Sequence, residues 1–202
     1  MNENHARVCP SPEWAAYIQN DILPSLVQHA DLGDDLLEIG PGPGAATEWL
    51  RDRVKRLTVL EIDEAAAAKL AERYAGSNVE VVIGDATKLS YPDGSFDSVG
   101  CFTMLHHVPT AALQNKILAE ALRVLRPGGA LIASDSLASD GLHHFHEGDT
   151  YYPIDPGTVV GRLQTIGFGA LTVMIDDRLK FIARKPADGA DGACDGDGEK
   201  AA

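Results

Sequence analysis

The segment Glu38-Ile39-Gly40-Pro41-Gly42-Pro43-Gly44 packs three glycines and two prolines behind an apolar stretch. Glycines let the backbone turn sharply and let a ligand approach without meeting Cβ atoms. Read loosely, Gly40, Gly42 and Ala45 fit the dinucleotide spacing G-x-G-x-x-G/A, with Glu61 about 20 residues further on. Two features oppose a pyrophosphate. Pro41 and Pro43 have no N–H, so the loop lacks two donors that a phosphate cradle would use. Glu38 would also set a carboxylate beside the ligand, where it repels phosphate. The same carboxylate attracts positive charge, such as a sulfonium or an α-ammonium group. Glu61 and Asp85 each follow a further apolar run. Carboxylates in such places suit a ligand that is rich in donors and carries net positive charge.

Histidines form the second set. His106 and His107 are candidate acid/base residues for a reaction in which an acceptor loses a proton, and packing is the competing role. Gly141–Thr150 (GLHHFHEGDT) gathers His143, His144, His146, Glu147 and Asp149. Imidazole and carboxylate suit zinc or iron, but this spacing fits no standard helix motif, so no metal is expected. Substrate contact or plain loop structure is the expectation there. Trp14, Tyr17, His143, His146 and Tyr151 are candidates for the wall of an acceptor pocket. Cys101 lies in an apolar run without an activating neighbour, which favours core packing over thiolate chemistry.

The elements that must carry these residues alternate. Short apolar runs at Asp35–Ile39, Leu57–Ile62, Val79–Ile83, Ser98–Phe102 and Ala130–Ser134 read as strands. Between them, Ala45–Arg53, Glu64–Tyr74 (capped by Asp63) and a helix led by Thr110 show helical spacing. A helix over Asp155–Ile166 stops at Gly167, and strands near Leu171–Ile175 and Lys180–Ala183 form a hairpin across Asp176-Asp177. This alternation predicts an α/β fold with a doubly wound, mostly parallel sheet, whose ligands bind along the strands' C-terminal edge. Residues 1–31 read as an N-terminal amphipathic helical segment, interrupted at Pro24, that packs on the core. Residues 32–186 form the main domain, and 187–202, almost all Ala, Gly and acid, an expected disordered tail.

Composition bounds the partners. The 202 residues are 45% hydrophobic, and 17 Lys plus Arg against 30 Asp plus Glu give a net charge of −13. That field repels polyanions, so no nucleic-acid partner is expected. No apolar run approaches the roughly 20 residues that span a bilayer, and three scattered cysteines form no disulfide framework. A cytoplasmic protein without membrane partners is the expectation, with its oligomeric state open.

Five motifs occur in order: LLEIGPGPG (36–44), LTVLEID (57–63), GDAT (84–87), SFDSVGCFTMLHHV (95–108) and LRPGG (125–129). Together they resemble the class I S-adenosylmethionine-dependent methyltransferases over roughly residues 32 to 185. The resemblance implies that family's Rossmann-like fold, with seven strands and the last one antiparallel. It implies S-adenosylmethionine as cofactor and methyl transfer to an acceptor, which the compact chain and acidic surface lead one to expect to be a small molecule. By position, Glu38, Gly40, Pro41, Gly42, Pro43 and Gly44 would hold the methionine end. Glu61 would accept from the ribose hydroxyls, and Ile62 would pack on the adenine, although as an apolar residue it is also expected in the core. Asp85 and Ala86 would meet the adenine edge, and Phe102 and Thr103 would border the methyl group. A noncatalytic cofactor-binding subunit and, less well matched, an NAD-dependent oxidoreductase are the alternatives.

Overall fold

The computed structural model describes residues 2–188, which leaves most of the expected acidic tail, from 189 on, outside the described residues. Strand β1 (Asp35–Ile39) is buried along its whole length, as a strand covered on both faces must be. It lies between β2 (Arg56–Glu61) and β4 (Phe96–Phe102), with β3 (Val79–Ile83) outside β2. Beyond β4 come β5 (Leu125–Ser136), β7 (Arg178–Arg184) and β6 (Leu171–Ile175), giving the order 3-2-1-4-5-7-6. All neighbours are parallel except those of β7, which runs antiparallel to both β5 and β6. The α/β class, the seven strands and the antiparallel final strand match the expectation.

Register carries the functional consequence. Ile39 pairs with Leu60 and Cys101, Glu61 with Ile83, and Phe102 with Ser134. The residues that follow these pairs therefore emerge along one edge of the sheet. Order reverses between β1 and β4, which opens the crevice there.

Helices cover both faces. Helix α4 (Ala45–Leu50) follows the glycine loop, and α5 (Glu64–Arg73) is capped by the Asp63 side chain on the Ala66 N–H. Helix α6 (Ala111–Val124) starts under the Thr110 cap, and α8 (Pro156–Ile166) starts under Asp155 and ends at Gly167, whose φ is 114°. Two apolar clusters fill the faces. One joins Leu37, Ile39, Cys101, Ile117 and Phe181. The other joins Leu36, Val59, Phe102, Ile132 and Ile182.

Several local expectations needed correction. The N-terminal region is not one helix broken at Pro24. It comprises α1 (Glu3–Val8), α2 (Pro12–Tyr17), a π-helical turn over Ile18–Ile22 and α3 (Leu23–Val27). Pro24 cannot donate to the carbonyl one turn back, and the widened turn before it absorbs that loss while the chain stays helical. Ile18, Ile22, Leu23 and Leu26 bury completely in the second cluster. Strand β5 begins at Leu125, earlier than expected, because Arg126–Gly129 bulges between two registers with β4. A Cβ on Gly129 would lie 2.7 Å from the Asp97 carbonyl oxygen, so only glycine closes this bulge. The segment expected as a loop at 141–150 opens with α7 (Asp140–Phe145), capped by Ser139.

Candidate active site

Geometry at the end of β1 follows from the alternation of Gly and Pro. Gly40 and Gly42 take φ of 66° and 54°, a region closed to most side chains, while the prolines hold the intervening residues near φ −65°. A Cβ at Gly42 would meet nothing within 4 Å, so the backbone angle and not crowding calls for glycine. The loop is tied down by Gly40 N–H donating to the Leu60 carbonyl (2.9 Å) and Arg73 Nη1 donating to the Pro43 carbonyl (2.7 Å).

Glu38 is 1% exposed, and its Oε2 accepts from the Thr47 hydroxyl at 2.6 Å. Burial raises its carboxyl pKa to about 7. The Thr47 hydrogen bond opposes that rise, and the Glu61 charge adds to it. A buried carboxylate held this way is poised to ionise when a cation arrives. Glu61 is also buried, and its Oε1 accepts from the backbone N–H of Ile62 (2.9 Å) and Asp63 (3.0 Å). Asp85 is exposed, and its Oδ1 accepts from the Thr87 N–H at 2.8 Å. The three acids end β1, β2 and β3 on one edge, as the motif reading required.

Ile62 departs from the core expectation. It is 71% exposed, because it lies one residue past β2, where alternation no longer turns it into the sheet. An aliphatic side chain held out beside the crevice is free to cover an aromatic ring. Ala86 is buried in the first cluster. Phe102 packs its ring in the second cluster and under Gly100, where a Cβ would meet it at 2.6 Å. Thr103 follows with φ 57°, the one positive-φ residue other than glycine among the described residues. Its N–H donates to the Ser134 carbonyl at 2.7 Å, which fixes the strained turn.

Past Thr103 the structure separates the acceptor-side candidates into two groups. Trp14 and Tyr17 flank the guanidinium of Arg178, at 5.9 and 6.0 Å from the ring centroids, and the Tyr17 hydroxyl donates to Asp177. Arg178 is buried, its Nε donates to the Ser134 hydroxyl at 3.1 Å, and its Nη2 has no hydrogen-bond partner. Sequence reasoning missed this residue, although a charge that opens an apolar strand was a usable signal.

The second group gathers His106, His107, His146 and Tyr151 around His5 of α1, which no spacing rule suggested. Tyr151 stacks on His146 with ring centroids 4.3 Å apart. His143 is exposed, 6.2 Å from the Tyr151 ring, at the margin of this group. His106 donates Nδ1–H to Asp135, a carboxylate at the end of β5 that also accepts from the His106 and Ser136 N–H groups. Asp135 was missed as well, though the polar run Ser134-Asp135-Ser136 after an apolar strand was visible. Burial, aided by neighbouring imidazoles, pushes His107 down to about 3. His5 and His146 shift downward for the same reason. A base of such low affinity for protons is weak at neutral pH. Burial likewise drives the Cys101 thiol far upward, which removes it from nucleophilic chemistry.

The methyltransferase domain family matches residues 37–133. A protein of Mycolicibacterium smegmatis named as an S-adenosylmethionine-dependent methyltransferase is 32% identical over 116 residues, 57% of this chain and 43% of its own length. A Pyrococcus abyssi protein named as ribosomal RNA small subunit methyltransferase A is 34% identical over 84 residues, 41% of this chain and 30% of its own. The 27-O-demethylrifamycin SV methyltransferase of Amycolatopsis mediterranei is 37% identical over 110 residues, 52% of this chain and 39% of its own. The matches therefore span less than half the length of these relatives. Among solved structures, the PH0226 protein of Pyrococcus horikoshii superposes with a TM-score of 0.73 at 20% identity, over 92% of this chain and 99% of that one, which establishes a shared fold. No helix among the described residues is long and apolar enough to cross a membrane.

Proposed function

Because the chain belongs to the class I S-adenosylmethionine-dependent methyltransferases, we propose that it moves the cofactor's methyl group to a small acceptor that carries an acidic group. The observation that carries the cofactor half is the trio Glu38, Glu61 and Asp85 on one sheet edge, beside a loop whose prolines withhold donors from phosphate. The residues fit the cofactor. Glu38 matches a cationic methionine end, Glu61 keeps a second carboxylate oxygen for hydroxyl donors, and the projecting Ile62 suits an adenine face. Asp85 offers an exposed carboxylate for an amino group.

When bound, the cofactor supplies an electrophilic methyl on a sulfonium. The chain's contribution is position. Holding an acceptor in line within about 3–3.5 Å accounts for much of the rate of such a displacement. Thr103, locked to Ser134, forms the wall where methionine end and acceptor meet. Arg178 lies one step further along the same hydrogen-bonded line and has an unpaired buried N–H to offer a carboxylate. The net charge of −13 disfavours RNA as acceptor.

Calorimetry with S-adenosylmethionine, S-adenosylhomocysteine and NAD tests the cofactor half, with binding of the first two expected. Transfer of labelled methyl to small organic acids, against ribosomal RNA in parallel, tests the acceptor half. NAD binding alone would defeat the first, and labelled RNA with unlabelled acids the second.

A further inference from the structure

We propose that His5, His106, His107 and His146 form a closed divalent-metal site, of the kind zinc occupies, that clasps the N-terminal helix to the end of the sheet. Each offers a ring nitrogen, and these four atoms all lie within 4.8 Å of one another. His5, His106 and His146 are 2%, 4% and 3% exposed, and His107 is half-buried.

Hydrogen bonds outside the cluster fix which ring nitrogen carries the proton. The His146 Nδ1–H donates to the Leu142 carbonyl at 2.6 Å, an oxygen that can only accept. The His106 Nδ1–H donates to the Asp135 carboxylate. Asn2 spends its amide N–H groups on the Phe145 (2.8 Å) and Glu147 (3.1 Å) carbonyls, so its oxygen faces His5 and accepts the Nδ1–H at 2.9 Å. Three imidazoles are thereby left with Nε2 as the lone-pair nitrogen. The Nε2 of His146 is buried and has no hydrogen-bond partner. His107 can lend one N–H to at most one of the three lone pairs. The His146 lone pair is left without a donor, and a bound cation would give it a partner.

The outer partners are those of a metal site. A ligating histidine characteristically donates its other ring N–H to a carboxylate or carbonyl oxygen. Asp135 on His106, and Asp149 at 3.3 Å from His5 Nδ1, place two negative charges against a doubly charged ion. A tetrahedral zinc ion bonds nitrogen at about 2.0–2.1 Å, which sets its ligands about 3.3 Å apart. The four nitrogens would draw inward by about 1 Å, a movement within the reach of side-chain torsions. Four protein ligands leave no open position, as in structural sites.

The consequence is a tether across the acceptor side. Along β5, Asp135 points to the face of Ala133, and Ser134 to that of Ile132. The His5 end of the N-terminal region meets the first face, and its Trp14–Tyr17 end meets Arg178 on the second. A metal at the His5 end would hold this strap in place.

The test uses the untagged full chain, stripped by a chelator and titrated with Co(II) and then Zn(II). One Co(II) per chain with the visible absorption of tetrahedral cobalt, displaced by one Zn(II), is expected. His5→Ala and His146→Ala should weaken Co(II) binding about 100-fold or more, and Asp135→Asn about 10- to 100-fold. His143→Ala and His144→Ala, which change exposed histidines outside the cluster, should bind as the parent does. Circular dichroism shows whether each variant is folded, and cofactor titration of the same samples keeps this result apart from the methyltransferase reading. No uptake by the parent chain, or undiminished binding by folded His5→Ala and His146→Ala, overturns the metal site.

Discussion

Thr47 donates its hydroxyl to Glu38 at 2.6 Å inside the core, and this contact links one turn of α4 to the charge at the end of β1. Burial holds the Glu38 pKa at about 7, against 4.5 for the free side chain. The folded, ligand-free protein therefore binds more protons than the unfolded chain between those values, and its stability falls as pH rises through that window. That difference corresponds to roughly 3 kcal/mol. A cationic cofactor reverses the preference by favouring the ionised form. Cofactor affinity should thus rise from pH 6 to pH 8, with proton release seen as a buffer-dependent calorimetric heat. Glu38→Gln should flatten the pH profile and weaken binding about 10-fold or more. A parent profile that is flat across this range would remove Glu38 from the site.

Asp85 isolates one contact from stability. It is exposed, and Thr87 N–H is its partner. Asp85→Ala should leave the melting temperature nearly unchanged and cost about 1–3 kcal/mol of cofactor affinity, roughly 5- to 150-fold. Equal affinity in the folded variant would exclude Asp85 from the adenine edge.

Thr103 tests whether strain serves position. A left-handed φ of 57° costs a β-branched residue about 1–2 kcal/mol, and glycine would relieve that cost but add chain entropy to the unfolded state. Thr103→Gly should keep stability within about 1 kcal/mol of the parent and still slow turnover. A variant as active as the parent would mean that the turn's shape, not its side chain, is what matters.

Arg178 separates acceptor from cofactor. Arg178→Gln should raise KM for an acidic acceptor and leave the cofactor Kd unchanged, because its partners are Ser134, Trp14 and Tyr17. Similar losses for acidic and neutral acceptors would argue that Arg178 only supports the fold.

The elements, their mostly parallel arrangement and the strand-end residues proposed to hold the cofactor were legible in the sequence alone. Those features are local: apolar periodicity draws strands and helices, caps such as Asp63 and Thr110 mark helix starts, and a Gly-Pro loop marks the end of the first strand. Local reasoning still misplaced Ile62, because only the point where β2 ends decides whether an apolar side chain turns inward or stands out. The histidine cluster belongs to tertiary structure. His5, His106, Asp135 and His146 share no periodicity and sit on four separate segments. They meet because parallel register brings β4 and β5 to one edge and a helix from the start of the chain folds across it. The lone-pair arrangement depends on hydrogen bonds from Leu142, Asp135 and Asn2, whose geometry exists only once those segments are packed.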